Sequence, residues 1–101
     1  MNFSEYQVRA SETAIYDDKI YPILGLAEEA GEVAGKVAKS LRDKTPLDED
    51  VLIKEMGDVL WMLAAIATDN DIDLSEVAQR NLDKLASRQK RGVLTGSGDD
   101  R

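Results

Sequence analysis

The sequence predicts an all-α protein with one domain, and three observations support that class. Leu, Ala, Glu, Lys and Met, which favour helices, are plentiful, and the 101-residue chain has only two prolines. Apolar residues recur at spacings of three and four, and no segment shows the two-residue alternation of a strand. Breaks in this spacing divide the chain into four helical segments and a tail.

The first two helices are placed by their start and stop signals. Asn2 or Ser4 can cap the first helix, which runs to about Ala14. The second helix begins at Pro22, a residue type favoured in a first helical turn, and runs to about Asp43. Its apolar stripe consists of Leu26, Ala30, Val33, Val37 and Leu41.

The last two helices are placed in the same way. Asp48 caps the third helix, which extends to about Thr68. Asp73 or Ser75 caps the fourth helix, which ends near Gly92. Together with the first two, these helices complete the predicted domain.

The domain is predicted to comprise residues 1–92, and residues 93–101 form a C-terminal tail. The tail is rich in Gly, Ser and Asp, which gives it little apolar surface to bury. We therefore expect the tail to be mobile until something binds it.

The third helix is apolar around its whole circumference. Between Glu55 and Ala67 only Glu55 and Asp58 are charged. A helix that is apolar on all sides is enclosed by protein. The other three helices are too short to surround it. We therefore expect a helical hairpin that dimerisation completes into a four-helix-type bundle. The apolar stripe consists of Leu52, Met56, Val59, Leu63 and Ile66. The opposite side of the helix carries Trp61, Met62 and Ala65.

The composition excludes several functional classes. The net charge of −7, from 20 acidic and 13 basic residues, is opposite to that of most nucleic-acid-binding proteins. The absence of cysteine and histidine excludes disulfides, zinc ribbons, thiol catalysis, Ser-His triads and the usual di-iron ligand sets. The sequence has no apolar signal core, and its longest apolar run, residues 59–67, is too short to span a membrane. We expect a cytoplasmic protein that binds neither membranes nor polymeric nucleic acid.

Acidic residues on the second and third helices form a candidate cation site. The second helix carries Glu28, Glu29 and Glu32, and the third carries Glu55 and Asp58. Residues three apart share a helix face. If the two helices fold back as an antiparallel hairpin about residues 43–47, Glu29 falls near Asp58. The same register brings Glu32 near Glu55.

Four converging carboxylates would repel one another, which raises their pKa values unless a cation neutralises them. Lys36, Lys39 and Lys54 are candidates for part of this role. A divalent cation would do so more economically, and all-oxygen ligation favours Mg²⁺, with Mn²⁺ as a substitute.

A non-catalytic interpretation stands beside this one. The acids of the second helix, taken alone, are typical of the solvated face of any soluble helix. Glu55 and Asp58 share a face with the apolar Met62 and Ala65, which favours a site. Glycines at 25, 31, 35 and 57 each cost a helix about 1 kcal/mol relative to Ala, so we expect close helix approach or room for a ligand. The alternative function is a helical dimerisation module with a solvated acidic face.

The motif Glu28-Glu29-Ala30-Gly31-Glu32, followed by Glu55-Met56-Gly57-Asp58, resembles the EExxE…ExxD signature of MazG-like nucleotide pyrophosphohydrolases. These enzymes belong to the all-α NTP pyrophosphatase superfamily. The resemblance extends from Tyr6 to Arg88, and the tail segment Gly96–Asp99 is similar to that of a small MazG-like subgroup.

The resemblance implies a function and a set of site residues. Glu29, Glu32, Glu55 and Asp58 would hold Mg²⁺ at the substrate phosphates, as the family's motif does. Glu28 would activate a water as general base, with Glu32 as the other candidate. The family cleaves a (d)NTP between the α and β phosphates to a (d)NMP and pyrophosphate, which suits nucleotide-pool house-cleaning. Its members are dimers or dimers of dimers.

Asn81, Lys84 and Arg88 lie within about 60° of one another on the fourth helix. The resemblance implies that they bind substrate, whereas the alternative is ordinary surface cations favoured by the helix dipole. Trp61 is a core or dimer anchor or a platform on which the base stacks. Together with Tyr6 and Asn81 it is a candidate for base selectivity.

Overall fold

A computed structural model describes residues 1–101 and contains four α-helices and no strand, which confirms the all-α class. No helix combines the length and the apolar character that crossing a membrane requires. The helices are α1 (Phe3–Ser11), α2 (Ile20–Asp43), α3 (Glu49–Asp69) and α4 (Leu74–Lys90).

Side-chain caps set three of the four helix starts. Asn2 accepts a hydrogen bond from the backbone of Glu5, and Asp48 caps α3 as predicted. Asp73, rather than Ser75, caps α4. The serines offered as alternative caps instead connect α1 to α4, because the hydroxyls of Ser4 and Ser75 lie 2.7 Å apart.

Two helix boundaries differ from the prediction. Helix α1 ends at Ser11 rather than near Ala14. Helix α2 begins at Ile20, before Pro22, and the Ile20 amide donates to the Asp18 carboxylate at 2.9 Å. Proline is tolerated here because the first backbone amides of a helix have no intrahelical acceptor.

Helices α2 and α3 form the expected antiparallel hairpin, and among the helices α2 packs only against α3. The register is visible at Gly25, where an added Cβ would lie 2.7 Å from the Met62 sulfur. Helix α1 packs against α3 and α4. A small core of Ala64, Ala67 and Leu74 lies where the last turns of α3 meet α4.

The protomer leaves much of its apolar surface uncovered. Its radius of gyration is 16.3 Å, against about 13 Å for a compact domain of this length. Its accessible surface is 7627 Å², against about 5,700 Å² for a compact monomer of this mass. Helix α3 is therefore enclosed on one side only. The uncovered side is an apolar groove of about 640 Å³, lined by Phe3, Ala30, Val33, Ile53, Met56, Gly57, Val59, Leu60 and Leu63.

Close helix approach, the role predicted for the helical glycines, is seen at only one of the four positions. Gly25 permits the close approach of Met62 described above. At Gly31, Gly35 and Gly57 an added Cβ would meet no atom within 4 Å, so nothing in one protomer requires glycine there.

The tail folds back on itself at the end of α4. The Arg101 guanidinium donates to the carbonyls of Val93, Leu94 and Gly98 at 3.0, 2.9 and 2.7 Å. Gly96 and Gly98 have φ of 127° and 90°, which other residues rarely adopt. The mobility of the tail in solution stays a prediction.

Candidate metal centre

Three carboxylates converge where α2 faces α3. Glu29, Glu55 and Asp58 each bring one carboxylate oxygen into a group whose members all lie within 4.8 Å of one another. The antiparallel register puts Glu29 opposite Asp58, and Glu55 joins them from the preceding turn of α3. Glu29 and Glu55 are half-buried, and Asp58 is exposed.

The cluster carries more negative charge than the protein neutralises. The pKa of Glu29 is raised, first by loss of water and then by the charges of Asp58, Glu28, Glu55 and Glu32. Of the candidate lysines only Lys36 forms an ion pair here, at 4.0 Å from Glu55. Three carboxylate oxygens around one point with excess negative charge suit a hard divalent cation such as Mg²⁺.

The two remaining acids of the predicted site lie outside the group of three. Glu28 and Glu32 are exposed, and their charges act on Glu29 from the same helix. Glu55, the residue predicted to face Glu32, forms an ion pair with Lys36, one turn further along α2. The roles of Glu28 as base and of Glu32 as ligand or base stay predictions.

Tyr6 borders the cluster from α1. Its pKa is raised, first by burial and then by the negative charge of Asp58, so its hydroxyl stays protonated near the carboxylates. The role of Tyr6 in base selectivity stays a prediction.

Trp61 belongs to an aromatic group next to the cluster. Its indole nitrogen donates to the Thr13 hydroxyl at 2.9 Å. Tyr16 meets Trp61 edge-on at 6.2 Å and stacks on Tyr21 at 5.4 Å. The Tyr16 hydroxyl donates to Asp69 at 2.7 Å. The two tyrosines flank a polar segment without helical periodicity, so the sequence carried no signal for this group.

The predicted substrate residues of α4 lie apart from the carboxylates. Asn81 and Lys84 line an open cavity of about 570 Å³, to which no member of the carboxylate cluster contributes. Arg88 is buried, with 6% of its surface exposed, and contacts the tail residue Asp99. Within one protomer α4 makes no contact with α2, and this cavity does not extend to the carboxylate cluster. Sequence reasoning missed Asp99, because no helical spacing relates it to Lys84 or Arg88.

Comparisons with known proteins identify the family of the chain. The family model described as the MazG nucleotide pyrophosphohydrolase domain matches residues 21–93, which include every carboxylate of the cluster and the α4 cations. The chain is also 49% identical to the gene 37 protein of Mycobacterium phage L5, over an alignment of 114 positions that covers both chains in full. No solved structure matches the chain. The hairpin with its three converging carboxylates is thus that of a member of the MazG nucleotide pyrophosphohydrolase family, to which this chain belongs.

Proposed function

We propose that the protein hydrolyses a (d)NTP to a (d)NMP and pyrophosphate with Mg²⁺ held at Glu29, Glu55 and Asp58. The observation that carries this proposal is the group of three carboxylate oxygens within 4.8 Å of one another. Mn²⁺ would serve as a substitute because it prefers the same ligands. Removing unwanted nucleotides from the pool is the physiological role that such a reaction supports.

The residues divide the chemistry between them. Phosphoryl transfer depends mainly on positioned charge, and the bound cation would neutralise the phosphate oxygens. Glu29, Glu55 and Asp58 would orient that cation, with Glu32 as a further ligand. Glu28 or Glu32 would accept a proton from the attacking water, since both project from α2 beside Glu29.

A second copy of the chain would complete the site. Each protomer exposes roughly 1,900 Å² more than a compact monomer of its mass, which leaves up to about 3,800 Å² for the two partners of a dimer together, within the range of permanent homodimer interfaces. The apolar groove is part of this uncovered surface, and α4 makes no contact with α2, the helix that carries Glu29. We propose a homodimer, or a dimer of dimers, in which α4 of one copy reaches the metal centre of the other.

The test is a panel of standard and modified nucleoside triphosphates incubated with Mg²⁺, with the products separated by chromatography. We expect a nucleoside monophosphate and pyrophosphate from at least one triphosphate. Asp58→Asn should lower the rate by about a hundredfold or more, because a metal ligand stabilises the transition state by several kcal/mol. Asp17→Asn, the same charge change in an exposed loop, should leave the rate unchanged.

The alternative is the helical dimerisation module, which the large apolar groove favours. Under that alternative, Asp58→Asn leaves every property unchanged and Mg²⁺ does not shift the melting temperature. A protein that dimerises but yields no pyrophosphate from the whole panel would contradict the enzymatic proposal.

A further inference from the structure

A carboxylate from the tail lies between the two cations of α4. Lys84 Nζ is 2.8 Å from Asp99 Oδ1, and Arg88 Nη2 is 3.2 Å from the same oxygen. Arg88 Nη2 also donates to the backbone carbonyl of Asp99. Lysine and arginine around one anionic oxygen are the arrangement by which proteins bind phosphate groups.

The Arg88 guanidinium is incompletely satisfied in this arrangement. Its side chain is 7% exposed, and its Nε is buried without a hydrogen-bond partner. A buried donor without an acceptor is unfavourable, because it has lost its hydrogen bonds to water without replacement. Asp99 presents one carboxylate oxygen to both cations, whereas a phosphate group presents several acceptors to the same donors. The site is therefore better matched to a phosphate than to the group that occupies it.

The Asp99 ion pairs, which a ligand can replace, are one part of what attaches the tail to α4. The Asp99 side chain is 77% exposed, and exposed ion pairs contribute little to stability. Three Arg101 hydrogen bonds are internal to the tail and hold it together as a unit. The Arg91 guanidinium, at the end of α4, donates to the Arg101 backbone oxygen at 2.7 Å, and displacement of the tail breaks this hydrogen bond as well. Gly92, at the junction with α4, has a φ of 71° and permits a change of direction there.

We propose that the tail is an internal competitor for nucleotide phosphate: Asp99 occupies the anion site of Lys84 and Arg88, and a polyphosphate displaces it. The identity of the ligand rests on the proposed function, but the displacement does not require turnover. The tail then lies on α4 when the site is empty and leaves α4 when a triphosphate binds.

Calorimetric titration with inorganic tripolyphosphate and Mg²⁺ tests the competition in the full chain. We expect Asp99→Asn to tighten binding by about threefold to tenfold, because the ligand no longer displaces a charged competitor. Asp100→Asn removes the same charge from the neighbouring residue, which forms no ion pair, and should tighten binding less. Equal effects of the two substitutions, or weaker binding by Asp99→Asn, would overturn the proposal.

Hydrogen exchange of the tail tests the displacement itself. The Val93 amide donates to the Arg88 carbonyl at 2.9 Å and reports attachment of the tail to α4. Tripolyphosphate should speed its exchange in the wild type, and Asp99→Asn should speed it without ligand. Slower exchange on adding ligand would show that the tail closes over the ligand, which contradicts competition.

The proposed function and the tail proposal can each be refuted without the other. Tighter tripolyphosphate binding by Asp99→Asn without hydrolysis of any triphosphate would refute the proposed function alone. Hydrolysis of a triphosphate with no difference between Asp99→Asn and Asp100→Asn would refute the tail proposal alone.

Discussion

Glu29 is the residue of the site whose pKa is raised, first by loss of water and then by repulsion from the neighbouring carboxylates. Its carboxyl group is half-buried and surrounded by four other acids, and its pKa is raised in consequence. The folded protein therefore holds repulsive charge that only a proton or a cation relieves. This repulsion lowers the stability of the folded protein while no cation is bound, and it raises the affinity of the site for a cation.

We expect Glu29→Gln to raise the melting temperature in the absence of Mg²⁺, because it removes the most crowded charge while keeping the side-chain shape. Mg²⁺ should stabilise the wild type and have little effect on Glu29→Gln. The measurement is thermal unfolding with and without Mg²⁺, with Asp17→Asn as the control for a general charge effect. A Mg²⁺ shift of equal size in all three proteins would contradict the assignment of the ligands.

Tyr16 gives a pH prediction whose sign follows from its environment. Burial, followed by the hydrogen bond to Asp69, raises its pKa from 10.0 to about 12. The protonated hydroxyl is the donor, so its stabilising effect is complete below pH 10. That effect is lost as the pH rises through 12, because the unfolded state ionises first.

We expect Tyr16→Phe to lower the free energy of unfolding by about 1–2 kcal/mol at pH 8. The difference from the wild type should shrink between pH 10 and 12. Urea unfolding at several pH values measures both effects, and Tyr21→Phe, which changes the exposed ring stacked on Tyr16, is the matched control. A difference that stays constant up to pH 12 would argue against the Tyr16–Asp69 hydrogen bond.

At the scale of the elements, the α2–α3 hairpin depends on one close approach. Gly25 and Met62 are both buried, and a Cβ on Gly25 would lie 2.7 Å from the Met62 sulfur. At Gly31 the same Cβ would meet nothing within 4 Å. The two glycines of α2 therefore differ in what they contribute.

We expect Gly25→Ala to destabilise the protein by about 1 kcal/mol, because the sulfur and methyl group of the buried Met62 must shift within a packed interface. Gly31→Ala should stabilise it by up to about 1 kcal/mol through helix propensity alone. Denaturant unfolding of the two variants provides the comparison. Effects of the same sign would mean that Gly25 is not required for the packing of α2 on α3.

At the scale of the whole molecule, the uncovered apolar groove favours association with a second copy of the chain. Ile53 and Met56 are 58% and 56% exposed on a helix that should be enclosed. Exposed apolar surface of this extent is uncommon on a stable monomer and marks an interaction surface. The position of α4, away from its own carboxylates, adds a functional reason for a second copy.

We expect the wild type to be a dimer or a dimer of dimers in sedimentation experiments. Met56→Glu should weaken dimerisation by about tenfold or more, because it places a charge in the centre of the interface. Ile15→Glu, the same type of change at a loop residue that is 94% exposed, should have little effect. A monomeric wild type would contradict the proposed assembly.

The sequence by itself determined the helices and the central pair of the site. Capping and apolar spacing are local properties, so the structure agrees with the start of α3 at Asp48 and with its approximate end. The register of Glu29 with Asp58 followed from the position of one turn, because an antiparallel hairpin relates its residues by simple symmetry about that turn.

Only the tertiary structure decided which of the other charged residues meet. It paired Lys36 with Glu55, and it buried Arg88 with the tail residue Asp99 as its partner. These contacts depend on side-chain direction and on the path of the chain after α4. Neither is set by local spacing, because both result from packing between segments that are distant in sequence.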